Sequence, residues 1–160
     1  MSDVEELHPS AKRVAEVLRS RGVKGPFREF GVTTKTAADA AAALGCVVGA
    51  IASTLVFVVD EEPTVVLKSG AHRVDLERLR QLSGAGSVRQ ASPDEVREAT
   101  GQAVGGVSPV GWPRPLTTYI DDSLKDYEFI WAACGTPNAV FRTTFDELRS
   151  LTGATTATLQ

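Results

Sequence analysis

Thr54-Leu55-Val56-Phe57-Val58-Val59-Asp60-Glu61-Glu62-Pro63-Thr64-Val65-Val66-Leu67-Lys68 is two apolar runs around a polar break. The first run, Thr54 to Asp60, is almost continuously apolar, which predicts a strand buried on both faces. Glu61-Glu62-Pro63 turns the chain. Thr64 to Lys68 then returns, most simply as an antiparallel partner. Just upstream, Gly49-Ala50-Ile51-Ala52-Ser53 reads as a short helix or turn. A hairpin here means that strand and helix do not alternate strictly, so the order points to an α+β fold with a mixed sheet.

The other elements fit around that hairpin. His8-Pro9-Ser10 opens a first helix, with Val14, Val17 and Leu18 on one face and Gly22 at its end. Phe27 to Phe30 alternates apolar and charged residues as a short strand does. Thr36 and Asp39 make a capping-box pattern for an alanine-rich helix that Gly45 stops. Asp75 caps a helix carrying Leu76, Leu79 and Leu82. Val88 marks a short strand. Ser92-Pro93-Asp94-Glu95 is a full helix start, and Gly101 ends that helix. Leu116 to Asp121, Tyr127 to Cys134 and Ala139 to Arg142 are strand-like. Thr144-Phe145-Asp146-Glu147 starts a last helix with the same capping pattern. The chain reads as one domain over 1–160, with 1–8 and 154–160 expected as flexible ends.

Gly105-Gly106-Val107-Ser108-Pro109-Val110-Gly111 follows a helix, not a strand, so it is no dinucleotide loop. Its glycines permit positive φ and close approach of another molecule. Such a loop can present N–H groups to an anion or a carbonyl oxygen, or can be only a tight connection. Ser108 has no histidine base assigned by any pattern. Asp121 is read either as a turn cap or as a site residue. Lys68 and His72 are expected to be solvated.

Composition narrows the classes. The chain has 160 residues, a net charge of −3, two cysteines and two histidines. The acidic balance disfavours binding a polyanion by charge alone and leaves only a local patch for it. Lys12, Arg13, Arg19 and Arg21 are candidates, and a solvated helix face explains them as well. Cys46 and Cys134 read as buried free thiols. No ligand spacing suggests a metal. The acidic N-terminus lacks a signal pattern and no apolar run is long enough for a membrane span, so a cytoplasmic location is expected.

Four stretches in order resemble the YbaK/ProX family, the aminoacyl-tRNA deacylase domain also inserted in bacterial prolyl-tRNA synthetases. They are Thr36 to Gly45 with Ala50 to Phe57, Lys68-Ser69-Gly70, Thr100-Gly101 with Val104 to Gly111, and Tyr119-Ile120-Asp121 with Cys134-Gly135-Thr136-Pro137. The resemblance implies a highly twisted, partly barrel-like mixed sheet surrounded by helices. It implies hydrolysis of the ester of a misacylated tRNA, with proline tRNA carrying a small wrong amino acid foremost, by water and without metal or other cofactor. Misacylated tRNA would be the partner, with an aminoacyl-tRNA synthetase as a second one. Ser53, Gly105, Gly106 and Asp121 would carry the chemistry. Thr34, Thr36, Ile51, Gly70, Val107, Ser108, Pro109, Gly135, Thr136 and Pro137 would hold the substrate. One departure stands out: Ser53 occupies the position of a lysine important for activity in studied members, and Thr136 stands where some have histidine. The alternative implied by that departure is a non-catalytic binding module for an aminoacyl-tRNA end or a small amino-acid-like ligand.

Overall fold

The computed structural model describes residues 4–31 and 36–160. Five helices and eight strands are present among them: α1 Pro9–Ser20, α2 Ala37–Leu44, α3 Leu76–Ser83, α4 Pro93–Thr100 and α5 Phe145–Thr152; β1 Phe27–Glu29, β2 Ile51–Val59, β3 Glu62–Ser69, β4 Val88–Gln90, β5 Thr117–Asp121, β6 Ile130–Ala133, β7 Ala139–Thr143 and β8 Thr155–Ala157. The sheet order is β1-β7-β6-β2-β3-β5-β8, with β4 also on β2. β2 pairs antiparallel with β3 and β4 but parallel with β6, and β3 pairs parallel with β5. The fold is therefore α+β with a mixed sheet.

The hairpin forms with a shifted turn. Asp60 and Glu61 both take positive φ, 46° and 68°. This is the two-residue turn that matches the twist of flanking strands. Glu62 and Pro63 belong to β3, not to the turn. The Asp60 carboxylate accepts from the Gly86 and Ser87 N–H groups, both at 3.0 Å, and so ties the turn to the chain entering β4. The segment expected as a turn before β2 is also different. A 3₁₀ turn covers only Val48–Ala50, and Ile51 to Ser53 are already strand.

Side chains alternate across the sheet, and helices cover both faces. On one face Phe27, Phe141, Ile130, Ala52, Val56 and Leu67 pack with α1, α4 and α5 through residues such as Leu18, Val96 and Leu148. On the other, α2 lies over Ile51, Trp131 and Val140, while Leu79 of α3 packs on Phe57 and Val66. Leu76 and Leu82 are 40% and 47% exposed, so α3 buries one leucine, not three. Cys134 is fully buried and Cys46 only partly, which corrects the reading of two buried thiols. The C-terminal tail is not frayed: β8 pairs parallel with β5, and Leu159 is 1% exposed beneath α3.

The caps are local and follow the sequence. Thr36 and Asp39, and Ser92 and Glu95, form reciprocal capping boxes. Thr144 caps α5, but the Glu147 carboxylate accepts from the Thr143 hydroxyl at 2.6 Å and does not complete a box. Ser92→Ala is expected to cost about 1 kcal/mol. A urea midpoint that falls with an unchanged slope checks it.

Candidate functional site: a cavity where the sheet divides

β2 changes partner along one edge. Ile51 and Ala52 pair with β6, and Phe57 to Val59 pair with β4. Between them β6 and β4 diverge, and residues 53–56 have no strand on that side. Val56 O accepts from Ala91 N–H at 3.1 Å across the gap's lower end. Backbone polar groups alternate sides along a strand. The N–H and C=O of Thr54, two residues back, therefore face the same opening. A strand edge with unpaired polar groups is a template for a ligand.

A cavity of about 250 Å³ fills this opening. Its apolar wall comes from Ala52, Val56, Val96, Val107, Ala132 and Ala139. Its other side carries Ser53, Thr36, Ile51 and Trp131 under the start of α2. Gly105, Thr136 and Pro137 frame the mouth with Val104. The Thr54 hydroxyl has no hydrogen-bond partner though its oxygen is buried.

The glycine loop touches the Thr136-Pro137 turn at Gly106. A Cβ on Gly106 would lie 2.7 Å from both Thr136 Cα and Pro137 N. Only glycine lets the two loops touch there. The loop is then locked from behind. Ser108 is 0% exposed: its N–H donates to Gln102 Oε1 at 2.8 Å and its hydroxyl to Val110 O at 2.8 Å. Gln102 Nε2 and Trp112 Nε1 close the network on Val110 O and Ser108 O. Gly106 N–H donates to Ala103 O. Gly105 and Val107 N–H make no hydrogen bond to another described residue, and both residues line the cavity.

Of the residues singled out from the sequence, the structure brings together Thr36, Ile51, Ser53, Gly105, Val107, Thr136 and Pro137 on the cavity. The others stand behind it or elsewhere. Gly106 is the contact between the loops. Gly70 passes under α2, where a Cβ would sit 2.8 Å from Ala37 Cβ. Gly135 faces α1, 2.7 Å from Val14 Cγ2 by the same measure. Pro109 lines a separate groove with Arg21 and Trp112. Asp121 is 1% exposed and off the cavity; its carboxylate accepts from Ser69 N–H at 3.0 Å, Ser123 N–H at 3.0 Å and Ser123 Oγ at 2.7 Å. Thr34 lies outside the described residues.

Lys68 is not the solvated residue expected. It is half-buried and stands directly opposite Ser53 in the β2–β3 register. Its Nζ donates to Ser69 O at 3.2 Å and His72 O at 2.8 Å. Burial lowers its pKa from the ordinary lysine value, and the charge of Asp121 opposes that. Burial pushes the Cys134 thiol up to about 12, and neither cysteine lines the cavity, so no thiol nucleophile is available there. No group of three His, Cys, Asp or Glu residues among the described residues is placed to hold a metal. None of the helices among the described residues is long and apolar enough to cross a membrane.

The site is a loop-framed cavity on a divided sheet within an α+β domain. The comparisons make the class specific. Residues 32–151 match the aminoacyl-tRNA editing domain family, and the chain belongs to it. A crystal structure of a candidate trans-editing enzyme for prolyl tRNA synthetase superposes with a TM-score of 0.91 at 47% identity, covering 97% of this chain and 99% of that one. The uncharacterized protein YwhH of Bacillus subtilis is 33% identical over 121 residues, 75% of this chain and 76% of that one. A proline–tRNA ligase of Nitratidesulfovibrio vulgaris is 34% identical over 90 residues, 56% of this chain but only 16% of the ligase. These findings bear out the resemblance read from the four stretches.

Proposed function

We propose that this domain hydrolyses the ester between a small, wrongly attached amino acid and its tRNA, proline tRNA carrying alanine or cysteine being the first substrate to try. The cavity between the glycine loop, the Thr136-Pro137 turn and the open β2 edge is the observation that carries this reading. The apolar wall suits an apolar side chain, and the volume of about 250 Å³ sets an upper limit on its size. Gly105 and Val107 N–H groups can receive the negative charge that develops on the ester carbonyl. Water adds to the carbonyl carbon. The tetrahedral adduct then collapses, the ester C–O bond breaks, and the ribose oxygen leaves with a proton from the attacking water. Ser53 and Thr136 supply hydroxyls to the amino acid or the terminal ribose. Thr136 Oγ1 accepts from Asn138 N–H at 3.3 Å, which leaves its proton free to donate.

Ser53 supports a second reading, a module that binds an aminoacyl-tRNA end without turnover. The two readings separate at that position. Under the editing reading Ser53→Ala lowers kcat/KM about tenfold, the worth of one hydrogen bond to a charged transition state. Lys68→Met lowers it less, because Lys68 acts from the next strand. Deacylation kinetics of mischarged proline tRNA check both. A wild type that releases nothing while Ser53→Lys does would establish the binding module instead.

A further inference from the structure

The α2 side of β1, β7 and β6 carries cations on rings at its edge: Arg28 and Phe129 are exposed, Arg142 is half-buried, and Trp131 beneath them is buried against α2. Arg28 of β1 reaches across Val140 to Trp131 of β6, with its Cζ 5.5 Å from the ring centroid. Arg142, paired with Trp131 in the strand register, lies 4.1 Å over the Phe129 ring. Phe129 is 42% exposed. Neither arginine forms an ion pair with a described carboxylate. A guanidinium held over a ring by this attraction keeps N–H groups that can meet an anion. The far face of a stacked guanidinium is also a platform for a nucleobase. Trp131 joins this ladder to the cavity, since it also lines it. The basic residues of α1 are placed otherwise: α1 packs on the opposite sheet face, and Lys12 pairs with Glu5 at 2.8 Å.

We propose that Arg28, Arg142, Phe129 and Trp131 are the landing for the unpaired 3′ end of the tRNA, the arginines holding its phosphates as the acylated ribose enters the cavity. This rests on the editing reading for the direction of entry. Charge complementarity and continuity with the cavity choose the occupant. With a net charge of −3, an electrostatic hold on a polyanion has to come from a local patch such as this one.

The test is fluorescence-polarisation titration of uncharged proline tRNA, whole and trimmed of its unpaired 3′ nucleotides, across about 50–200 mM salt. Wild type is compared with Arg28→Gln/Arg142→Gln and with Arg142→Gln alone. The double variant is expected to bind whole tRNA about tenfold more weakly, with a salt slope shallower by about 1.4, two single-strand phosphates' worth. The single variant loses about half of that slope. On trimmed tRNA the variants and wild type converge. In deacylation KM rises and kcat holds. Unchanged binding and slope in variants that melt like wild type overturns the proposal, as does an equal loss on trimmed tRNA. Wild type that binds through these arginines yet releases no amino acid leaves the landing standing and removes only the editing reading. Wild type that hydrolyses with the arginines irrelevant does the reverse.

Discussion

Gly106→Ala is expected to lower deacylation about 100-fold while the protein still folds. The glycine has no positive φ to lose. The effect comes wholly from contact: the new methyl would lie 2.7 Å from Thr136 Cα and Pro137 N, both main-chain atoms that cannot swing aside. One of the two loops must shift by the better part of an ångström. A displacement of that size can cost about 100-fold in a positioned reaction. The overpacking itself costs about 1–3 kcal/mol. Gly105→Ala strains the chain differently, since Gly105 has φ +96° and an added Cβ would meet only Pro137 Cγ at 4.0 Å. Kinetics and melting of both variants separate loop spacing from loop strain. A Gly106→Ala protein with wild-type kcat/KM would show that the contact does not set the geometry.

Asp121→Ala carries the largest expected loss of stability, about 2–4 kcal/mol, or roughly 5–15 °C in melting temperature. The carboxylate is 1% exposed and accepts three hydrogen bonds. One of them fixes Ser69, whose hydroxyl donates to Gly49 O at 2.7 Å just before β2 begins. Its removal leaves the buried Ser69 N–H unpaired in β3, next to the strand that lines the cavity. The charge that opposes the lowering of the Lys68 pKa goes with it. Calorimetry at neutral pH reads the stability, and kcat at a temperature well below melting reads the chemistry. Asp121 is off the cavity, so kcat is expected to fall far less than stability. A kcat collapse at full stability would move Asp121 into the reaction.

What was legible in the sequence was local. The Thr36 and Ser92 caps, the hairpin and the glycine stops depend on residues a few positions apart; the caps and stops appear where the pattern puts them, and the hairpin appears with its turn shifted to Asp60-Glu61. What was hidden depends on distant pairing. Nothing near Thr54 announces that β6 and β4 take opposite ends of one edge of β2, so its buried hydroxyl, Gln90, Ala91 and Trp131 were not read as cavity residues. Likewise Thr155–Ala157 has too little apolar character to look like a strand until β5 lies beside it. Gly70, Gly135 and Ser108 were marked as substrate contacts. Their chemistry serves packing and a loop lock, which a glycine or serine in a sequence cannot distinguish from a site. The average charge of the chain also concealed two arginines that stack on rings on one face.

The most direct test is release of labelled amino acid from proline tRNA charged in turn with alanine, cysteine and phenylalanine. The account predicts release of a small residue well above the rate without protein, and slower release of phenylalanine, the bulkiest of the three. No release of either small residue above that background would contradict it.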